Sequence, residues 1–231
     1  MDLARTASVG GFFALRTTPA SGGGHRPLAL LYGGRTAPLT ARIDRVASRL
    51  EAPERRVAAS IAHLGLAARL WSIALGPAAL CGRIPALPPD ALHWDPEAAS
   101  PDDLWIADPQ ELPGTAERIR EQVQYGHLAP LAEAVRGDGN VSPRLLWGNA
   151  GSALAGAARE LVAWARANEL PDVARRTRAL TAELFDHADL RSTGAPHGPA
   201  FRRRSCCLYW RCPGGGLCGD CVFDQVPGST R

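Results

Sequence analysis

Five of the six cysteines lie within residues 206–221 of this 231-residue chain: Cys206, Cys207, Cys212, Cys218 and Cys221, with Cys81 alone far upstream. No other feature restricts the fold as tightly, because thiols this crowded have to share a common partner or pair with each other. Cys218 and Cys221 form a C-x2-C pair whose sulfurs can reach one metal centre. The glycines before them let the loop curl at positive φ without steric cost. Thiolates are soft donors that select iron-sulfur clusters, zinc or copper(I) over hard cations. In a reducing compartment such thiols are expected to be ligands or catalytic groups instead of disulfides. The N-terminus, with Asp2 and only a short apolar run, lacks the basic and long apolar regions of a secretory signal, so a cytoplasmic location is expected.

A composition of 45% hydrophobic and 21% charged residues excludes disorder, collagen and small disulfide scaffolds. All 26 basic residues are arginine, and the net charge of +3 comes without aromatic-basic clusters, so no nucleic-acid partner is expected. The one candidate membrane span, residues 57–80, is interrupted by His63, Gly65 and Arg69. An arginine at a span centre costs about 2.5–3.5 kcal/mol, so this stretch reads as a buried helix and no transmembrane segment is expected.

Elsewhere apolar spacing predicts helices over 39–50, 54–80, 115–136, 145–167 and 171–190. Residues 137–140 stop the third, and Ser142 with Pro143 caps the fourth. Residues 8–16 and 26–33, joined by Ser21-Gly22-Gly23-Gly24, predict an N-terminal hairpin. Residues 91–95 and 104–107 predict a short strand pair inside the acidic stretch 86–115, which carries Asp90, Asp95, Glu97, Asp102, Asp103, Asp108 and Glu111 and no arginine. That stretch is either a solvated loop or a docking patch for a cationic partner. Residues 191–200 read as a connector. The expected fold class is therefore mainly α (α+β): a helical body over 1–190 with an N-terminal hairpin and a central strand pair, then a connector and metal-binding segment over 191–231. Within the fourth helix Gly148, Ser152 and Gly156 leave one face nearly bare, suited to tight packing or to a ligand. Cys81 reads as a small buried hydrophobe. The histidines (His25, His63, His93, His127, His187, His197) show no ligand pair at helical spacing.

Four thiolates suit both structural zinc and an iron-sulfur cluster. A zinc ribbon has two C-x2-C knuckles, whereas the first pair here is adjacent, and adjacent cysteines do not easily close around one small ion. Two irons offer more widely spaced coordination points. Spacing alone leaves both metals open.

The pattern C-C-x10-C-x2-C, made by Cys206, Cys207, Cys218 and Cys221 after Arg203-Arg204-Ser205, resembles the C-terminal signature of the FhuF family of ferric-siderophore reductases. Trp147-Gly148-Asn149-Ala150-Gly151-Ser152-Ala153-Leu154 is similar to that family's central helix. The resemblance implies one 2Fe-2S cluster on those four cysteines and one-electron transfer to iron in a siderophore, typically a hydroxamate. Cys212 departs from the pattern and creates a rival set with Cys207, Cys218 and Cys221, whose C-x4-C start is similar to plant-type ferredoxins. Gly214, Gly216 and Gly219 spell G-x-G-x-x-G, but no parallel-strand unit precedes them, so this is a cluster loop and no dinucleotide site.

With no flavin or nicotinamide signature, the electron is expected from a separate protein such as a ferredoxin or flavoprotein. Arg202, Arg203, Arg204 and Arg211 can supply positive charge beside an anionic cluster, and Gly214, Gly215, Gly216 and Gly219 can supply N–H donors; both raise its potential. Tyr209 and Trp210 shield the cluster or form a docking wall. Two other classes remain open: an iron-sulfur electron carrier or sensor acting on a protein partner, and a structural zinc protein with four cysteine ligands.

Overall fold

The computed structural model describes residues 1–18, 24–98, 103–197 and 200–228. Ser21, Gly22, Gly23, Asp102 and the 198–199 part of the expected connector lie outside them. Short helix α1 (Leu3–Ala7) and a 3-10 turn at Gly11–Phe13 lead into β1 (Arg26–Pro27), α2 (Leu28–Tyr32), α3 (Ala37–Leu50) and α4 (Arg55–Cys81). Strands β2 (Arg83–Pro85), β3 (His93–Trp94), β4 (Leu104–Trp105) and β5 (Glu111–Pro113) follow. Then come α5 (Ala116–Ile119), a π-helical segment at Arg120–Leu128, α6 (Ala129–Gly139), α7 (Pro143–Ala167), α8 (Pro171–Phe185), α9 (Ala188–Arg191), β6 (Gly194–His197) and β7 (Ala200–Arg203). The fold is mainly α with small sheets.

Helix α4 is the axis, with α3, α6, α7 and α8 packed around it. It ends where Gly82 takes the left-handed φ of 69°. Most of its side chains are buried, including an unbroken run from Arg69 to Leu80, which explains an apolar run without a polar face. Among the described residues it is the one helix long and apolar enough to cross a membrane, and 78% of its most apolar window is buried inside the protein. Trp71 ties α4 to α7 by donating its indole N–H to the Ala150 carbonyl at 3.0 Å. Arg69, at mid-helix, pairs with Asp103 at 3.0 Å, both almost fully buried.

The acidic stretch therefore contributes a core ion pair, and Trp94 Nε1 also donates to Asp103 at 3.0 Å. The expected strand pair forms, with His93 opposite Trp105 and Trp94 opposite Leu104. The N-terminal hairpin does not. Among the described residues, 8–16 hold the C-cap of α1 at Ser8 and the 3-10 turn, and Phe13 and Leu15 turn into the core. Arg26 pairs with Trp94 instead, and Arg16 bridges to Trp105.

The residues between α5 and α6 stay helical through the π-helical segment, whose register shift ends at Pro130, a residue without an N–H to donate. The chain leaves α6 at Asn140, left-handed at φ 48°. The expected connector is instead half of a hairpin: β6 pairs antiparallel with β7, Gly194 opposite Arg203. Glycine is required there, since a Cβ on Gly194 would meet the Phe201 ring at 2.2 Å and the Arg202 carbonyl at 2.5 Å. Cys81, expected to be buried, ends α4 exposed, its thiol directed to the Pro77 carbonyl at 3.1 Å.

Candidate metal centre

Strand β7 delivers the cysteine segment onto α7. A Cβ on Gly148 would lie 2.0 Å from Ser205 Oγ, so the missing side chain is what lets the segment approach the helix. Polar groups lock the contact. Ser60 donates to the Cys207 carbonyl at 2.8 Å, and Asn149 donates to the Ser60 carbonyl at 2.8 Å while its Oδ1 accepts from Arg203 at 2.6 Å. Asp220, between Cys218 and Cys221, accepts from Ser152 at 2.6 Å and Arg159 at 3.2 Å. The Arg203 N–H donates to the Asp220 carbonyl at 3.0 Å, joining the two cysteine pairs. Neither Ser60 nor Asp220 carries a motif of its own. The sequence marked only the bare Gly148, Ser152 and Gly156 face of this helix, as suited to tight packing or a ligand.

The four signature sulfurs share one feature. Cys206 accepts the Leu208 N–H at 3.2 Å and Cys221 accepts the Phe223 N–H at 3.4 Å. The backbone N–H groups of Tyr209 and Asp220 lie near Cys207 and Cys218 and act to lower those thiols. In each case the amide lies two residues beyond the cysteine. The Trp210 indole N–H adds a second donor to Cys206.

The thiols also touch one another: Cys207 hydrogen-bonds to Cys206 and Cys218, and Cys221 lies near enough to Cys206 to act on it electrostatically. As thiols, Cys206 is lowered to about 6, chiefly because Cys207 donates to it, and Cys207 is raised by the same bond. Cys218 is raised, first by its bond to Cys207 and then by burial. Among the described residues no three or more His, Cys, Asp or Glu side chains gather around a single ion-sized point.

Cys212 stands apart. It is buried at 5% exposure, and burial alone raises it. Its carbonyl accepts the Gly215 N–H at 2.8 Å, and a Cβ on Gly215 would meet the Tyr209 carbonyl at 2.3 Å. Gly215 thus closes the loop, and the N–H groups that reach sulfur come from Leu208, Tyr209, Asp220 and Phe223.

Arg203 is 1% exposed, and its Nε and Nη1 have no hydrogen-bond partner among the described residues; nor does the buried Ser205 hydroxyl. Arg203 lies close enough to Cys207 and Cys218 to favour their thiolates. Buried positive charge with free donors, beside four N–H-supported sulfurs, fits an anionic thiolate cluster. The other arginines face outward: Arg202 pairs with Asp224 at 2.8 Å, Arg211 pairs with Glu54, and Arg204 is exposed.

Residues 77–193 match the family described as ferric iron reductase FhuF-like transporter, and residues 203–223 match the FhuF 2Fe-2S C-terminal domain. The chain belongs to the FhuF family. No curated protein matches it. The second match spans Cys206, Cys207, Cys212, Cys218 and Cys221, so the FhuF cofactor here is a 2Fe-2S cluster and zinc is set aside. The first match covers the whole acidic stretch and α7, the helix against which the cysteine segment packs. Ferric iron is the substrate of the family as described.

Proposed function

We propose that this protein is a cytoplasmic ferric-siderophore reductase, holding its 2Fe-2S cluster on Cys206, Cys207, Cys218 and Cys221 and acting on a hydroxamate complex. The observation that supports the ligand assignment is that these four sulfurs lie together beside the buried Arg203, with Cys206 and Cys221 accepting the N–H groups of Leu208 and Phe223, whereas burial alone acts on Cys212 among the described residues. When bound, the cluster supplies one electron at a time. The chain's part is to bias and expose that exchange. Arg203 places positive charge beside the sulfurs, the amides of Leu208, Tyr209, Asp220 and Phe223 stabilise negative charge on them, and both favour the reduced state. Cys207 is buried, whereas Cys206, Cys218 and Cys221 are half-buried, so the site is reachable from the surface.

The reaction is balanced by a separate protein donor, a ferredoxin or flavoprotein. One electron enters from it, one leaves to Fe(III), and the metal is released as Fe(II). Hydroxamate oxygens are hard donors that hold Fe(III) far better than Fe(II), so reduction loosens the complex without a general base or nucleophile. The test is a single turnover: protein reduced with dithionite and freed of excess reductant is mixed with a ferric trihydroxamate or with ferric citrate. Rapid reoxidation by the hydroxamate complex is expected; no reoxidation by any ferric siderophore would falsify the reductase reading.

A further inference from the structure

A cavity of about 420 Å³ opens beside the cysteine segment, within the range of about 300–1,000 Å³ usual for small-molecule sites. Phe12, Ala68 of α4, Gly156, Arg159 and Glu160 of α7, and Cys218 line it. Its existence follows from the bare face of α7. At Gly148 that face is filled by Ser205, but at Gly156 a Cβ would meet only Arg159 Nη2, at 3.8 Å. One glycine admits the cysteine segment; the other keeps space open next to it.

The charge in the cavity is nearly cancelled. Asp220 is held by Arg159 and Ser152, which leaves Glu160 at the rim and no unpaired positive charge. A trianionic tris-catecholate complex would find no countercharge here. A tris-hydroxamate centre is neutral, because three monoanionic donors cancel Fe(III), and a neutral centre suits a largely apolar wall at little desolvation cost. Phe12 is 42% exposed and supplies apolar contact surface at the mouth.

We infer that this cavity seats the ferric chelate against Cys218. The inference rests on the reductase reading and adds the place of binding. With a cluster held there, one electron would reach Fe(III) across the Cys218 wall, and the protein would be left oxidised by one electron. Electron transfer needs close approach, and this cavity is bounded by a proposed cluster ligand.

The experiment uses the gallium(III) complex of desferrioxamine B, which matches the ferric complex in charge and shape and is not reduced. Its binding to the full, cluster-loaded chain is measured by calorimetry, alongside single-turnover reoxidation by the ferric complex. Gly156→Phe places a ring in the cavity, and about tenfold or greater loss of gallium-complex affinity is expected, with visible spectrum and midpoint potential unchanged. Ala68→Phe narrows the cavity from α4 and decides the matter if Gly156→Phe does not retain its cluster. Wild-type reoxidation combined with undiminished gallium binding in the cluster-retaining variants overturns the cavity alone. Wild-type protein that is neither bound nor reoxidised overturns both readings.

Discussion

Arg69 and Arg203 are buried almost equally, at 2% and 1% exposure, in surroundings that differ completely. Arg69 meets the Asp103 carboxylate at 3.0 Å and the carbonyls of Gly11, Phe12 and Ala14. Arg203 meets a neutral amide, Asn149, and keeps two buried N–H positions without a partner among the described residues. A protein compensates a charge it needs for structure with its own acids, because the uncompensated desolvation penalty is several kcal/mol per ion. Where such a charge stays open beside four thiols, we propose that the compensating negative charge comes from the cofactor. The first site is complete within the chain; on this proposal the second is completed by its cluster.

The sharpest way to break this comparison is at the cysteines. Cys206→Ala is expected to lose the visible cluster absorption and most bound iron, and Cys212→Ala to keep both, as read by absorbance and iron content. The reverse result would transfer the site to the rival set. At the structural pair, Asp103→Ala strands a buried guanidinium and is expected to destabilise the protein by about 3–5 kcal/mol in denaturant titration. The double change Arg69→Met, Asp103→Leu should be much milder, because it removes the stranded charge.

A buried histidine gives the core a pH signature. His127 Nε2 donates to the Leu87 carbonyl at 2.7 Å, so its Nδ1 accepts from the Tyr32 hydroxyl at 2.9 Å. Burial lowers it from 6.5 to about 4, only partly offset by the Leu87 bond. Between those values the unfolded chain binds a proton that the folded chain refuses, so stability rises with pH across the window. The contribution is complete above 6.5 and shrinks as pH falls to about 4, by an amount on the order of 3 kcal/mol. His127→Gln should reduce the slope of that part of the stability curve without abolishing it, because burial also lowers His63 to about 3.

At the cluster, Arg203→Gln keeps much of the side-chain volume and removes the charge. The midpoint potential should fall by about 59 mV or more, a tenfold shift in a one-electron equilibrium. An unchanged potential would place Arg203 with Arg69 as a purely structural residue. The smallest contrast lies along α7. Gly156→Ala, in open space, should stabilise the helix by about 0.5–1 kcal/mol, whereas Gly148→Ala collides with Ser205 and should cost about 1–3 kcal/mol and lower iron content.

Elements governed by local rules were readable in the sequence. Helices α3, α4 and α7 follow apolar spacing, and α7 begins where Ser142 accepts the Leu145 N–H at 3.2 Å ahead of Pro143. Pairing between distant segments was not readable. Residues 26–27 chose β3 over their neighbours in sequence, and 194–197 became a strand because β7 lay beside them. Short strands carry too few residues for an alternation signal, so their partners are set by what the helices leave exposed. Asp103 shows the same limit: its sequence context is an acidic loop, and only the placement of Arg69 turns it inward.

The sequence alone confined the candidate donors to the five cysteines of residues 206–221 and the metal to one that favours thiolates, since soft ligands crowded into one short segment create their chemistry locally, while spacing left zinc against an iron-sulfur cluster and Cys206 against Cys212 open. The tertiary structure decided what surrounds that chemistry. Whether Arg203 is paired or open, whether Asp103 is solvated or buried, and which end of the Gly148-to-Gly156 face stays empty all depend on how separate helices pack. Close packing leaves space only where no side chain from any neighbour reaches, and no single segment records that.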